Sequence, residues 1–156
     1  MKTYLFVLAL LFGISINAQQ ISVVNGLYVD TEGKLYTGTT TEFYAEGQKK
    51  ADIQVVQGKM QGTAVYYYAS GARMEAGNFV NGLRSGVWES WNEAGTKTGE
   101  AAYLLGVKNG KWMVWDAAGK LRTEMHYANG QKTGIWKMWD ENGVLTGEKN
   151  YNVLAQ

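Results

Sequence analysis

Five glycines, Gly38, Gly62, Gly86, Gly110 and Gly134, recur at intervals of 24 residues. Gly47, Gly71, Gly95, Gly119 and Gly143 keep the same interval, as do Gly58, Gly82, Gly106 and Gly130. A period that does not slip over five copies means one small unit is repeated, each copy packing mainly on its neighbours. The copies run over residues 38–61, 62–85, 86–109, 110–133 and 134–156. Glycine at this density rules out a long helix through the array.

The copy from Gly86 to Asn109 shows what the unit is. Val87 to Trp91 has the β-branched and aromatic composition of a strand. Asn92-Glu93-Ala94-Gly95 follows, and recurs as Asp116-Ala117-Ala118-Gly119 and Asp140-Glu141-Asn142-Gly143. A side-chain carbonyl at the first position and positive φ at the last predict a type I turn closed by a glycine bulge. A second strand then runs from about Thr96 to Tyr103. Asn81-Gly82, Leu105-Gly106 and Asn129-Gly130 end the copies with two-residue turns, Asn-Gly being the pair best suited to type I′. The expected fold is all-β: an elongated, single-layer antiparallel meander of about five hairpins. At roughly 10 Å per hairpin it forms a platform about 50 Å long.

Trp88 and Trp91, Trp112 and Trp115, and Trp136 and Trp139 stand three residues apart. Odd spacing in a regular strand places the members of each pair on opposite faces, giving each face an aromatic ladder, whereas a bulge between them would unite them. These rings are expected to form two small cores and, where exposed, to bind. Glu100, Glu124 and Glu148 follow the period, with Asp52 in register and Ala76 interrupting; Arg84, Lys108 and Lys132 form a basic series. Both series are expected at solvated sheet edges with cross-strand pairing.

The N-terminus has a different character. Lys2, the apolar run from Tyr4 to Ile16 and Ala18 have the order of a signal peptide spanning residues 1–18, too short for the roughly 20 residues of a membrane span. Residues 19–37 are expected to supply a capping hairpin, Ile21 to Val29 around Asn25-Gly26, and a lead-in strand at Lys34 to Thr37. An exported chain without cysteine has neither a lipoprotein anchor nor disulfides, so packing and hydrogen bonds must hold it. Loss of Lys2 leaves 14 basic residues against 14 acidic ones. That balance argues against nucleic acid as a partner.

The G-x-W-x-x-W-x-x-x-G pattern, with a trailing Tyr103, Tyr127 or Tyr151, resembles bacterial MORN-repeat variants over Gly38 to Gln156. The second copy departs from it, with Ala64 and Tyr67 at the Trp positions. The resemblance implies a sheet of successive hairpins, and an antitoxin-type or immunity component as one role.

Chemistry is hard to place on this pattern. His126 is the only histidine, so a transition-metal site would need carboxylates almost alone. It reads as a surface strand residue. No nucleophile elbow or phosphate loop is present, and no cofactor, metal or catalytic residue is expected. The expected function is an exported, non-enzymatic scaffold for an unidentified protein partner, periplasmic or at the cell surface. A glycan-binding module using the Trp88, Trp112 and Trp136 row or the Trp91, Trp115 and Trp139 row is the alternative, and an immunity role the other. Gly71, Gly82, Gly95, Gly106, Gly119, Gly130 and Gly143 are expected to serve the turns.

Overall fold

The computed structural model describes residues 20–152. The expected signal peptide at residues 1–18 lies outside the described residues. Twelve strands make up the rest: β1 (Ser22–Val24), β2 (Leu27–Val29), β3 (Gly38–Phe43), β4 (Lys49–Val56), β5 (Lys59–Tyr67), β6 (Arg73–Val80), β7 (Leu83–Trp91), β8 (Lys97–Leu104), β9 (Val107–Trp115), β10 (Leu121–Ala128), β11 (Gln131–Trp139) and β12 (Leu145–Asn150). Strands β3 to β12 form one open antiparallel sheet in strict chain order, while β1 and β2 form a separate two-stranded sheet. The described residues contain no α-helix. The lead-in strand expected at Lys34 to Thr37 is reduced to one bridge between Leu35 and Val29.

Both turn types form as their residues require. At Asp116–Gly119, the Asp116 N–H donates to the Lys120 carbonyl at 2.9 Å and the Gly119 N–H donates to the Asp116 carbonyl at 3.0 Å. Asp116 Oδ1 accepts from the amides of Ala118 and Lys120 at 3.0 and 2.9 Å. Gly71, Gly95, Gly119 and Gly143 close these turns at φ between 80° and 86°. Gly119→Val forces a β-branched side chain into that region and sets its Cβ 3.3 Å from the Thr96 methyl. A loss of about 1–3 kcal/mol is expected in urea unfolding.

In the two-residue turns, Asn81, Leu105 and Asn129 have φ of 50°, 46° and 48°, followed by Gly82, Gly106 and Gly130 at 81° to 84°. Positive φ at both positions is the type I′ turn. Leucine is poorly suited to it, whereas Asn visits the left-handed region readily. Leu105→Asn is therefore expected to raise stability by about 1 kcal/mol, visible as a higher melting temperature.

The packing differs from the expected pair of cores. Among the described residues there is one core, on one face, at the N-terminal end, formed by Tyr28, Ala51, Ile53, Val55, Ala64, Phe79 and Trp88. Its cover is the β1–β2 hairpin. The expected capping hairpin forms, and it pairs with no strand of the large sheet. Instead Tyr28 lies over β3–β5 and its hydroxyl donates to Glu42 at 3.2 Å. Burial, with Glu42 beside it, pushes the Tyr28 pKa up to about 12. Main-chain bonds from Tyr28 N–H to Gly58 C=O and from Gly58 N–H to Tyr36 C=O, at 2.9 and 2.8 Å, tie the cover to the β4–β5 turn. The physical reason is area. A single sheet leaves both faces wet, and Ile53 and Val55 are dry only because the chain folds back over them.

Candidate functional site: the aromatic face

Strand alternation separates the two tryptophan rows. Along β7, Trp88 stands opposite Ala101 and Trp91 opposite Lys97, the register shift between them falling on β8. Trp88, Trp112 and Trp136 thus share the face that carries Tyr103, Tyr127 and Tyr151. Trp91, Trp115 and Trp139 lie on the other. The expected pair of ladders is a single one. On the tyrosine face Tyr103, Trp112, Tyr127, Trp136 and Tyr151 follow in sequence, with centroid separations of 5.1, 5.4, 5.3 and 4.7 Å. No ring-to-ring pairs connect Trp91, Trp115 and Trp139 among the described residues; Arg73 and Lys97 lie over Trp91 and Trp115 instead.

The glycine that precedes each tryptophan of the tyrosine row explains its geometry. Ala101 pairs with Trp112 but Tyr103 with Lys108, so the stretch around Gly110 is bulged against Ala102. Gly110 takes φ of 106° there. A bulge interrupts the ladder, and beside each one the indole N–H donates to a main-chain carbonyl. Trp88 reaches Asn78, Trp112 reaches Ala102 and Trp136 reaches His126, at 3.1, 2.9 and 3.1 Å. The bulge also draws together side chains four residues apart. Lys108 Nζ sits 4.3 Å above the Trp112 ring and 4.9 Å from that of Tyr127. Lys132 repeats this over Trp136 and Tyr151 at 4.6 and 5.2 Å. Arg84 lies 4.0 Å over Trp88 and 5.6 Å from Tyr103.

The acidic and basic series therefore do not pair at sheet edges as expected; they occupy opposite faces. Arg84 finds its acid in Glu75 on its own face, through two bonds of 2.7 and 2.6 Å. Burial works against the Arg84 charge, and Glu75 outweighs it, holding its pKa above the usual value. Asp52, Glu100, Glu124 and Glu148 line the other face, where Lys49, Lys97, Lys111 and Lys137 neutralise them. Lys97 also holds Glu89. The period came from the fold, and the segregation from strand alternation.

His126 Nε2 stands 3.3 Å from Glu124, with its side chain 38% exposed, as a strand residue at the surface. Among the described residues no three His, Asp or Glu side chains converge as metal ligands, and no helix is long and apolar enough to cross a membrane.

Three carboxylates set an acid limit on the fold. Burial opposes the charge of Asp52, and hydrogen bonds from Lys49, Thr41 and Tyr67 more than offset it. The amides of Lys120 and Ala118 lower the pKa of Asp116, and Lys111, with His126 behind it, lowers that of Glu124. A lowered folded-state pKa means the unfolded chain binds the proton more tightly. The stability these groups contribute is complete above the ordinary carboxylate range and is lost as pH falls through their lowered values. Thermal melts are expected to be flat from about pH 7 to 5 and to drop steadily towards about pH 3.

The tyrosine face is open where the N-terminal hairpin stops. Trp88 is 1% exposed, but Trp112 and Trp136 are only half-buried. Between Trp88 and Trp112 the strands carry Gly99 and Ala101, and these small residues leave a hollow of about 280 Å³ bordered by Arg84, Tyr103 and Val114. The sequence pattern contains this hollow only as a change of residue size at one register position. Residues 108–129 and 132–152 match the family described as MORN repeat variant. No curated protein matches the chain.

Proposed function

We propose that this chain, which carries MORN repeat variants over residues 108–152, is an exported, non-enzymatic scaffold that holds a protein partner on its tyrosine face. One observation carries the reading. The chain's own hairpin covers this face over β3–β5 and the core it closes ends at Trp88 on β7; from β8 to β12 the same face continues, uncovered by any described residue, with half-buried tryptophans. Half-buried Trp and Tyr beside a hollow are the anchors typical of protein interfaces. Export rests on the leader-like residues 1–18. A sugar stacking on Trp112 or Trp136 would have to displace Lys108 or Lys132 from the ring, which weighs against the glycan alternative.

Photo-crosslinking in the producing cell tests this directly. A crosslinker in place of Val114, on the tyrosine face, is expected to trap one defined protein, and one in place of Met113, on the glutamate face, is not. Adducts at neither position, or equally at both, would refute the scaffold reading, as would a polysaccharide pull-down abolished by Trp112→Ala.

A further inference from the structure

Resting on that scaffold reading, we infer that the uncovered half of the tyrosine face takes an extended, acidic protein segment with apolar side chains interspersed. Charge identifies the sign of the partner. From β8 to β12 this face presents Lys108, Lys132 and Lys149, and none of its strand residues is Asp or Glu. None of the three lysines forms an ion pair among the described residues; each is held over a ring. The glutamate face, in contrast, is neutralised by its own lysines. A supported ammonium group has already lost side-chain freedom and part of its hydration, so pairing it with a carboxylate costs less than ordering a free lysine.

The chain itself provides the comparison. The register position of Arg84, Lys108 and Lys132 is occupied by Tyr36 and Met60 in the covered half. Where the hairpin sits the position is uncharged, and cations begin where the cover ends. The occupant of the open half therefore differs from the hairpin in charge.

Apolar surface identifies the class. Val114 and Met138, on the same face beside the tryptophans, are 42% and 46% exposed, and the hollow between Trp88 and Trp112 suits one buried side chain. An acidic polysaccharide would satisfy the lysines and leave these apolar groups unmatched. A peptide of alternating character satisfies both.

The probe is a fluorescein-labelled peptide alternating glutamate with leucine, read by fluorescence anisotropy on the full chain. Binding is expected to weaken with salt and to fall about tenfold in Lys108→Met and further in Lys108→Met/Lys132→Met. Methionine keeps an aliphatic stem over the rings, and circular dichroism checks the fold. Lys111→Met, on the glutamate face, should bind as the parent does. Equal binding of a lysine–leucine peptide, no loss in the double variant, or preference for polygalacturonate would overturn the inference. So would self-association through this face, seen as dimers lost in the double variant. A partner crosslinked at Val114 whose capture is indifferent to Lys108 and Lys132 would sink the acidic segment alone and leave the scaffold standing.

Discussion

Trp88→Ala is expected to lose about 3–5 kcal/mol, far more than the same change at Trp112 or Trp136. Trp88 is 1% exposed and is among the largest fully buried side chains. Its ring lies edge-on to Phe79 at 4.9 Å, and its indole N–H satisfies Asn78. Alanine there removes the ring from the only packed core among the described residues, leaving a cavity beside Phe79 and Gly77. Trp136 occupies the equivalent position two copies on, yet no hairpin among the described residues covers it. Its truncation should cost under half as much, because part of its surface stays in contact with water in the folded state. Urea midpoints for the three variants decide the matter. Equal losses would mean the core is distributed evenly along the array, against the packing described above.

That inequality marks the limit of what the repeat pattern discloses. Backbone pairing depends on local turns, so Asn129-Gly130 and Asp116 to Gly119 declared themselves in the sequence and fold as their residues require. Strand alternation is equally local, and it correctly separates Trp88 from Trp91. Coverage is not local. Nothing in the period says that residues 21–36 fold back over β3–β5, and Tyr28 lies outside the period altogether. The consequence inverts an intuition: Trp112 and Trp136, in the copies that fit the pattern, stay half-buried, and in the weak second copy Ala64 is buried completely. The partition of charge was legible in principle, since Glu100 and Lys108 differ by an even number of residues. The bulge around Gly110 falls outside that interval, but the register shift between Gly99 and Lys97 shows why counting alone does not settle faces. Only the pairing resolves which acid meets which base.

A second consequence of this packing concerns a glycine outside all three recurring sets. Gly77 pairs with Ala64 on β5 and lies directly beneath the Trp88 ring. It needs no unusual φ; it is small because the indole lies on its backbone, and a Cβ there would collide with the indole ring. Gly77→Val is expected to destabilise by about 3 kcal/mol, at the upper end for overpacking, because Trp88 is pinned by Phe79 and by its bond to Asn78. In a chain already carrying Trp88→Ala the same valine should be close to neutral, since it fills part of the space the ring vacated and favours the strand. The coupling would then be about as large as the single effect, well beyond the near-additivity of separated sites. Urea unfolding of the two single variants and the double variant measures it. If the two losses simply add, Gly77 does not seat the tryptophan, and the core is not organised around that ring. If they cancel, one indole on one glycine closes the packed half of the sheet, and the places opposite Trp112, held by Ala101 on one side and Met125 on the other, are free to serve what binds from outside.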